Sequence, residues 1–189
     1  MNYNLLDTSR GDFVLNATTL AAVTGPQTRY LPLTDAKADT GIPLTAAAGT
    51  PAGAVGIART AGTSLQLVGE ATSASAKTDV ALWEFDLPAT YVAGANIPVI
   101  VNVIVTGTGT LTAASTTITV AAYTEAAGVE TALTVSAAQE FDKTGEILTF
   151  TITGTGLVPY QHIAIEITML VTSASGANTG TINSVAFKA

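Results

Sequence analysis

The chain has no cysteine, and it carries a single histidine and a single tryptophan among 189 residues. Without cysteine there is no disulfide framework, no thiolate metal site and no sulfur nucleophile. One histidine, His162, cannot build an imidazole-rich metal centre, and no G-x-S-x-G elbow stands ready to form a triad with it. The G-x-x-x-x-G-K-[ST] loop of nucleotide binders is also missing, as is a dinucleotide fingerprint. Charged residues make up only 11% of the chain, against about a quarter in ordinary soluble domains. Long hydrophobic runs are absent too: the apolar stretches at 99–105 and 163–171 are interrupted by Asn102 and Glu166, well short of the roughly 18 residues of a membrane helix. Met1-Asn2-Tyr3 opens without a basic segment and no apolar core follows, so no secretory leader is expected. Asn16-Ala-Thr18 matches a glycosylation sequon but has no secretory context to support it.

Negative charge is concentrated in one part of the chain. The net charge is −7. Residues 1–77 balance Arg10, Arg29, Lys37, Arg59 and Lys77 against Asp7, Asp12, Asp35, Asp39 and Glu70, whereas residues 78–189 hold only Lys143 and Lys188 as bases. An acidic segment repels phosphate, and no basic stripe with interleaved aromatics occurs. Nucleic acid is therefore not an expected partner.

What the chain does have is alternation. From Leu65 to Phe187, short segments of apolar and small polar residues follow one another: 64–70, 79–87, 97–107, 115–125, 130–136, 146–154, 162–173 and 181–188. The two-residue period of a strand puts Ala81, Trp83, Phe85 and Leu87 on one face and Val80, Leu82, Glu84 and Asp86 on the other. Residues 96–105 are apolar on both faces, as in a strand covered on both sides or buried against a neighbouring subunit. Glycines at 107, 109, 128, 145, 154, 156 and 176 mark the turns. Eight short strands predict an all-β protein, an eight-stranded antiparallel jelly-roll β-sandwich over residues 64–189, with an immunoglobulin-like sandwich as the alternative.

Residues 1–63 read differently. Pro26, Pro32, Pro43 and Pro51 forbid a long helix, and 44–56 is nearly all small residues. Phe13, Val14, Leu15, Tyr30, Leu31 and Leu33 are more apolar than a disordered tail usually carries. An extended N-terminal arm over 1–63, with one or two short strands, is expected, with Arg10, Phe13, Leu15, Arg29, Tyr30, Leu31 and Leu33 as its partner-binding residues.

The run Trp83-Glu-Phe-Asp-Leu-Pro88, then Tyr91-Val-Ala-Gly94, then an apolar strand from Ile97, resembles jelly-roll domains in structural proteins of tailed phages. So does the turn Thr153-Gly-Thr-Gly-Leu-Val-Pro159 leading into His162-Ile-Ala-Ile-Glu-Ile167, with a closing Val185-Ala-Phe187 strand. The resemblance covers about 64–189 and implies a capsid decoration (cement) or head-fibre protein. It implies location on the capsid exterior after synthesis in the host cytoplasm. The arm would bind the major capsid lattice, and the sandwich would self-associate as a trimer.

Few residues invite chemistry. Glu84 and Asp86 share a strand face, and Glu140, Asp142 and Glu146 surround a Lys-Thr-Gly turn. Paired carboxylates serve glycoside hydrolysis or calcium binding, but no calcium-loop motif accompanies them. The expected protein is non-enzymatic and needs no cofactor or metal. The alternative is a carbohydrate- or receptor-binding module using Tyr91, Tyr123 and Tyr160.

Overall fold

A computed structural model describes residues 6–7, 12–13, 26–59, 64–112, 115–126 and 129–189. Its strands are β1 (Leu6–Asp7), β2 (Asp12–Phe13), β3 (Thr28–Leu31), β4 (Gly56–Arg59), β5 (Leu65–Val68), β6 (Thr72–Ser73), β7 (Ala76–Asp86) and β8 (Ile97–Gly107). They continue as β9 (Thr110–Leu111), β10 (Thr117–Ala126), β11 (Val129–Ala132), β12 (Gln139–Glu140), β13 (Glu146–Ile152), β14 (His162–Ser175) and β15 (Ala177–Lys188). A 3-10 turn stands at Leu33–Asp35, and no helix of the described residues is long and apolar enough to cross a membrane.

Two antiparallel sheets form a β-sandwich. One has the order β11-β10-β14-β7, with β12 on β10 and β9 on β14. The other has the order β13-β8-β15-β5-β4, with β3 and β6 also on β15. Successive long strands β7, β8, β10, β13, β14 and β15 alternate between the two sheets, so the chain winds around the core instead of folding back within one sheet. Each of the eight strands expected from alternation has a counterpart. The seven further strands are two to four residues long.

The core follows from the strand period. Ile97, Val99, Val101, Val103 and Val105 of β8 face Ile163, Ile165, Ile167, Met169 and Val171 of β14, all buried. Burial of each such side chain is worth about 1.5–3 kcal/mol, and the β-branched residues also suit extended backbone. Trp83, Ala81 and Leu87 point into this core, as the alternation of β7 requires. The opposite positions of β8 (Pro98, Ile100, Asn102, Ile104) are half-buried on the outer surface of their sheet.

The boundary expected at residue 63 does not separate residues 26–59 from the sandwich. β3 pairs with β15 and β4 with β5. Lys37 bridges Leu82, and Ala54 bridges Val80 along the edge of β7. Leu31, Ala36, Ala38, Ala54 and Val55 are buried. Proline prevents helix in this segment, but it does not prevent packing as extended chain against an open sheet edge. The remainder of the expected arm lies outside the described residues, except for the β1–β2 ladder.

Candidate functional site at one end of the sandwich

β7 ends at Asp86 where β14 begins at His162, and β10 passes alongside with Thr124 opposite Ile163. Register then aligns Tyr123, Ala164 and Glu84 in one row across three strands, with Ala132 beside Tyr123. The small Ala164 between two long side chains leaves a depression. This shallow groove is lined by Glu84, Tyr123, Thr124, Glu125, Glu130, His162 and Ala164.

Its electrostatics are acidic with local compensation. Lys37 Nζ lies 2.7 Å from Glu84 Oε2 and holds that carboxyl below the usual range. His162 Nδ1 lies 3.0 Å from Asp86 Oδ1. Burial raises the Tyr123 phenol, and the charges of Glu166, Glu130 and Asp39 raise it further. Burial likewise raises Glu166, which lies opposite Ala121 in the next row, with the Asp39 charge adding to the effect. The groove therefore offers a neutral phenol among carboxylates. Such a site accepts hydrogen bonds from hydroxyl or ammonium groups and repels anions.

Loops 87–96 and 153–161 close the same end. Leu87 N donates to Gln161 O, Tyr160 N to Leu87 O, and Gly94 N to Leu157 O. The loops meet so closely at Gly154 that a Cβ there would lie 1.8 Å from the Ala95 carbonyl oxygen. Gln161 anchors the second loop at both ends of its amide: Oε1 accepts from Val158 N, and Nε2 donates to Thr124 Oγ1. Val92, Val158 and Tyr160 are left exposed, and Tyr160, 73% exposed, has a φ of 64°. A bulky residue held in the left-handed region is uncommon and marks an over-determined loop.

The residues expected to bind divide sharply. Tyr123 and Tyr160 stand at this end. Tyr91 does not serve as a contact residue, because it is buried and its hydroxyl donates to the Ala95 carbonyl. Of the arm residues, Arg29 and Tyr30 are exposed, whereas Leu31 is buried and Leu33 packs against the sandwich's own core. Arg10 and Leu15 lie outside the described residues, and Phe13 is described only by its backbone in β2. Glu84 and Asp86 take separate partners. Asp142 accepts from both the amide and hydroxyl of Thr144, which lowers its carboxyl, while Lys143 Nζ donates to the Gly107 and Gly109 carbonyls. Among the described residues no three potential metal ligands gather, and His162 makes its only side-chain hydrogen bond to Asp86. Sequence reasoning missed Glu125, Glu130 and Gln161. The first two become neighbours only through the hairpin register that pairs them.

No family profile matches the chain, and no curated protein matches it. Among solved structures, one from work on promiscuous specificity in carbohydrate-binding modules of the β-sandwich superfamily aligns at 12% identity and a TM-score of 0.44, covering 87% of this chain. The chain spans 57% of that structure's length. TmCBM61, in complex with β-1,4-galactotriose, aligns at 10% identity and a TM-score of 0.38, covering 86% of each chain. The CBM22-1 xylan-binding domain from Paenibacillus barcinonensis Xyn10C aligns at 9% identity and a TM-score of 0.37, covering 85% of this chain and 84% of its own. None is close enough to lend this chain a ligand.

Proposed function

We propose that the protein is a non-enzymatic binding module that takes a neutral or cationic saccharide chain in the groove of Tyr123, with Tyr160 as a second contact at the rim. The observation that carries this reading is the row Tyr123–Ala164–Glu84 on three paired strands. It sets an aromatic face and carboxylate acceptors around a floor of small side chains. A sugar's apolar face stacks on a tyrosine while its hydroxyls donate to carboxylates. Rigid strands hold these groups before the ligand arrives, which lowers the cost of ordering them. The acidic surroundings disfavour sulfated or uronic saccharides. Titrating the full chain with neutral, amino and acidic oligosaccharides by calorimetry tests the reading. Neutral or amino sugars should bind, and Tyr123→Ala should weaken binding by roughly tenfold or more. Failure of every neutral and amino sugar to bind would remove this function.

A second reading, a tailed-phage decoration protein acting as a cement on the capsid lattice, is favoured by one observation. Gln27 and Ala189 exchange backbone hydrogen bonds, so the chain enters the sandwich beside Ala189. A segment tethered there can reach a capsid surface while the strands stay intact. Deleting residues 1–25 should then abolish co-sedimentation with phage heads and leave the melting temperature of the sandwich unchanged. Full co-sedimentation of the truncated chain would exclude the arm-anchored role.

A further inference from the structure

The two outer faces of the sandwich differ in charge. The β7–β14–β10 face carries Lys37, Glu84, Glu166 and, at its end, Asp86 and His162. The outer face of the β13-β8-β15-β5-β4 sheet has no charged side chain across its middle, and Lys188 stands at one end. Ile147 is 71% exposed and Tyr30 73% exposed on this face, with Ile100 and Ile104 half-buried between them. Ala186 lies between Ile100 and Tyr30 in adjacent strands. A chain of amides crosses the centre: Gln66 Nε2 donates to Asn183 Oδ1 at 2.7 Å, and Asn183 Nδ2 to Asn102 Oδ1 at 3.4 Å.

We propose that this face pairs with the same face of a second copy about a two-fold axis. Charge selects the occupant. The chain carries a net charge of −7, so two copies repel unless they meet on the surface from which charge is excluded, and only this face qualifies among the described residues. The amide chain is also self-complementary, with an acceptor oxygen at its Gln66 end and a donor nitrogen at its Asn102 end. A two-fold operation near Asn183 brings each end to the opposite end of the partner, as an isologous contact requires. The size suits a weak, concentration-dependent dimer. Seven residues from each of β13, β8 and β15 and four from each of β3 and β5, at about 3.3 Å per residue and about 4.8 Å between strands, give a footprint of about 460 Å² per copy. The pair then covers about 900 Å², in the range of small, reversible interfaces. Face-to-face sheets at about 10 Å are a common packing. Such a dimer turns the two grooves outward on opposite sides, so both remain free to bind.

The test is the solution mass of the full chain by sedimentation equilibrium up to about 100 µM, a range that detects micromolar association. Twice the 19.0 kDa chain mass is expected. Ile147→Glu, at an already exposed edge position, and Ile100→Glu, at the centre, should each raise the dissociation constant roughly tenfold or more while leaving the circular dichroism unchanged. Should Ile100→Glu misfold, Ile147→Glu alone decides. Thr119→Glu, on the opposite face, should leave the mass unchanged. A monomer throughout, a trimer, or a dimer indifferent to Ile147→Glu would each overturn the proposal.

Discussion

The indole Nε1 of Trp83 donates a hydrogen bond of 3.0 Å to the carbonyl of Pro32, 51 positions earlier in the chain. The bond joins the core strand β7 to the proline-bearing segment at its edge, which also bridges through Lys37 and Leu82. Trp83→Phe keeps an aromatic core but strips this bond and part of the indole's volume. The loss should be about 1–3 kcal/mol in urea unfolding. Amide exchange at Lys37 and Leu82 should accelerate more than at Val101. Uniform acceleration across the sheet would mean that the segment and the core unfold only together.

Asp79 lies buried in β7 with its Oδ1 unpartnered and its Oδ2 accepting from Glu70 N. Burial raises its carboxyl above the ordinary range, the Glu70 amide opposes that, the Glu70 charge adds to it and Lys77 subtracts. A raised carboxyl binds its proton more tightly in the folded state than in the unfolded one. Its stabilising contribution is therefore fully present below the unfolded value and is lost as pH rises through the folded value. Asp79→Asn cannot ionise and should escape that loss. Melting temperatures of the two proteins should converge in acid and diverge at neutral pH, with the variant higher. A wild type at least as stable as Asp79→Asn at neutral pH would refute this.

Phe85 and Phe187 stack with ring centroids 4.4 Å apart and planes 21° from parallel, joining β7 of one sheet to β15 of the other. A double-mutant cycle with Phe85→Leu and Phe187→Leu should yield a coupling of about 0.5–1.5 kcal/mol. Strict additivity of the two losses would show that the rings contribute through burial alone.

Tyr160→Gly separates folding from binding. Releasing a tyrosine from φ 64° relieves about 1–2 kcal/mol of strain, offset by about 0.5–1 kcal/mol from glycine's freedom in the unfolded chain. A net gain of up to about 1.5 kcal/mol is expected, together with weaker saccharide binding. Unchanged binding would take Tyr160 out of the site.

Much of the sandwich was legible because its signal is local. Leu148, Phe150 and Ile152 alternate with Ile147, Thr149 and Thr151, and the structure buries the first set and exposes the second to varying degrees. β3 and β4 were expected only as one or two unplaced short strands of the arm, because four residues carry little period and the prolines between them argued for an extended arm. The site was half legible. Tyr123 and Tyr160 stood out as residue types, yet Tyr91 looked the same and is a core residue.

The alternation of the chain by itself determined that this is an all-β protein, where its long strands run and which side of each faces inward, since side-chain direction in a strand follows from residue parity. The absence of cysteine and the scarcity of histidine and charge were equally plain in the sequence. Only the tertiary structure decided that residues 26–59 complete the sheets, because edge pairing depends on which backbone groups the other strands leave open. It also decided that Tyr123, Glu84 and Glu130 share one groove. Cross-strand neighbours are set by register between segments far apart in the chain, and no local pattern encodes that.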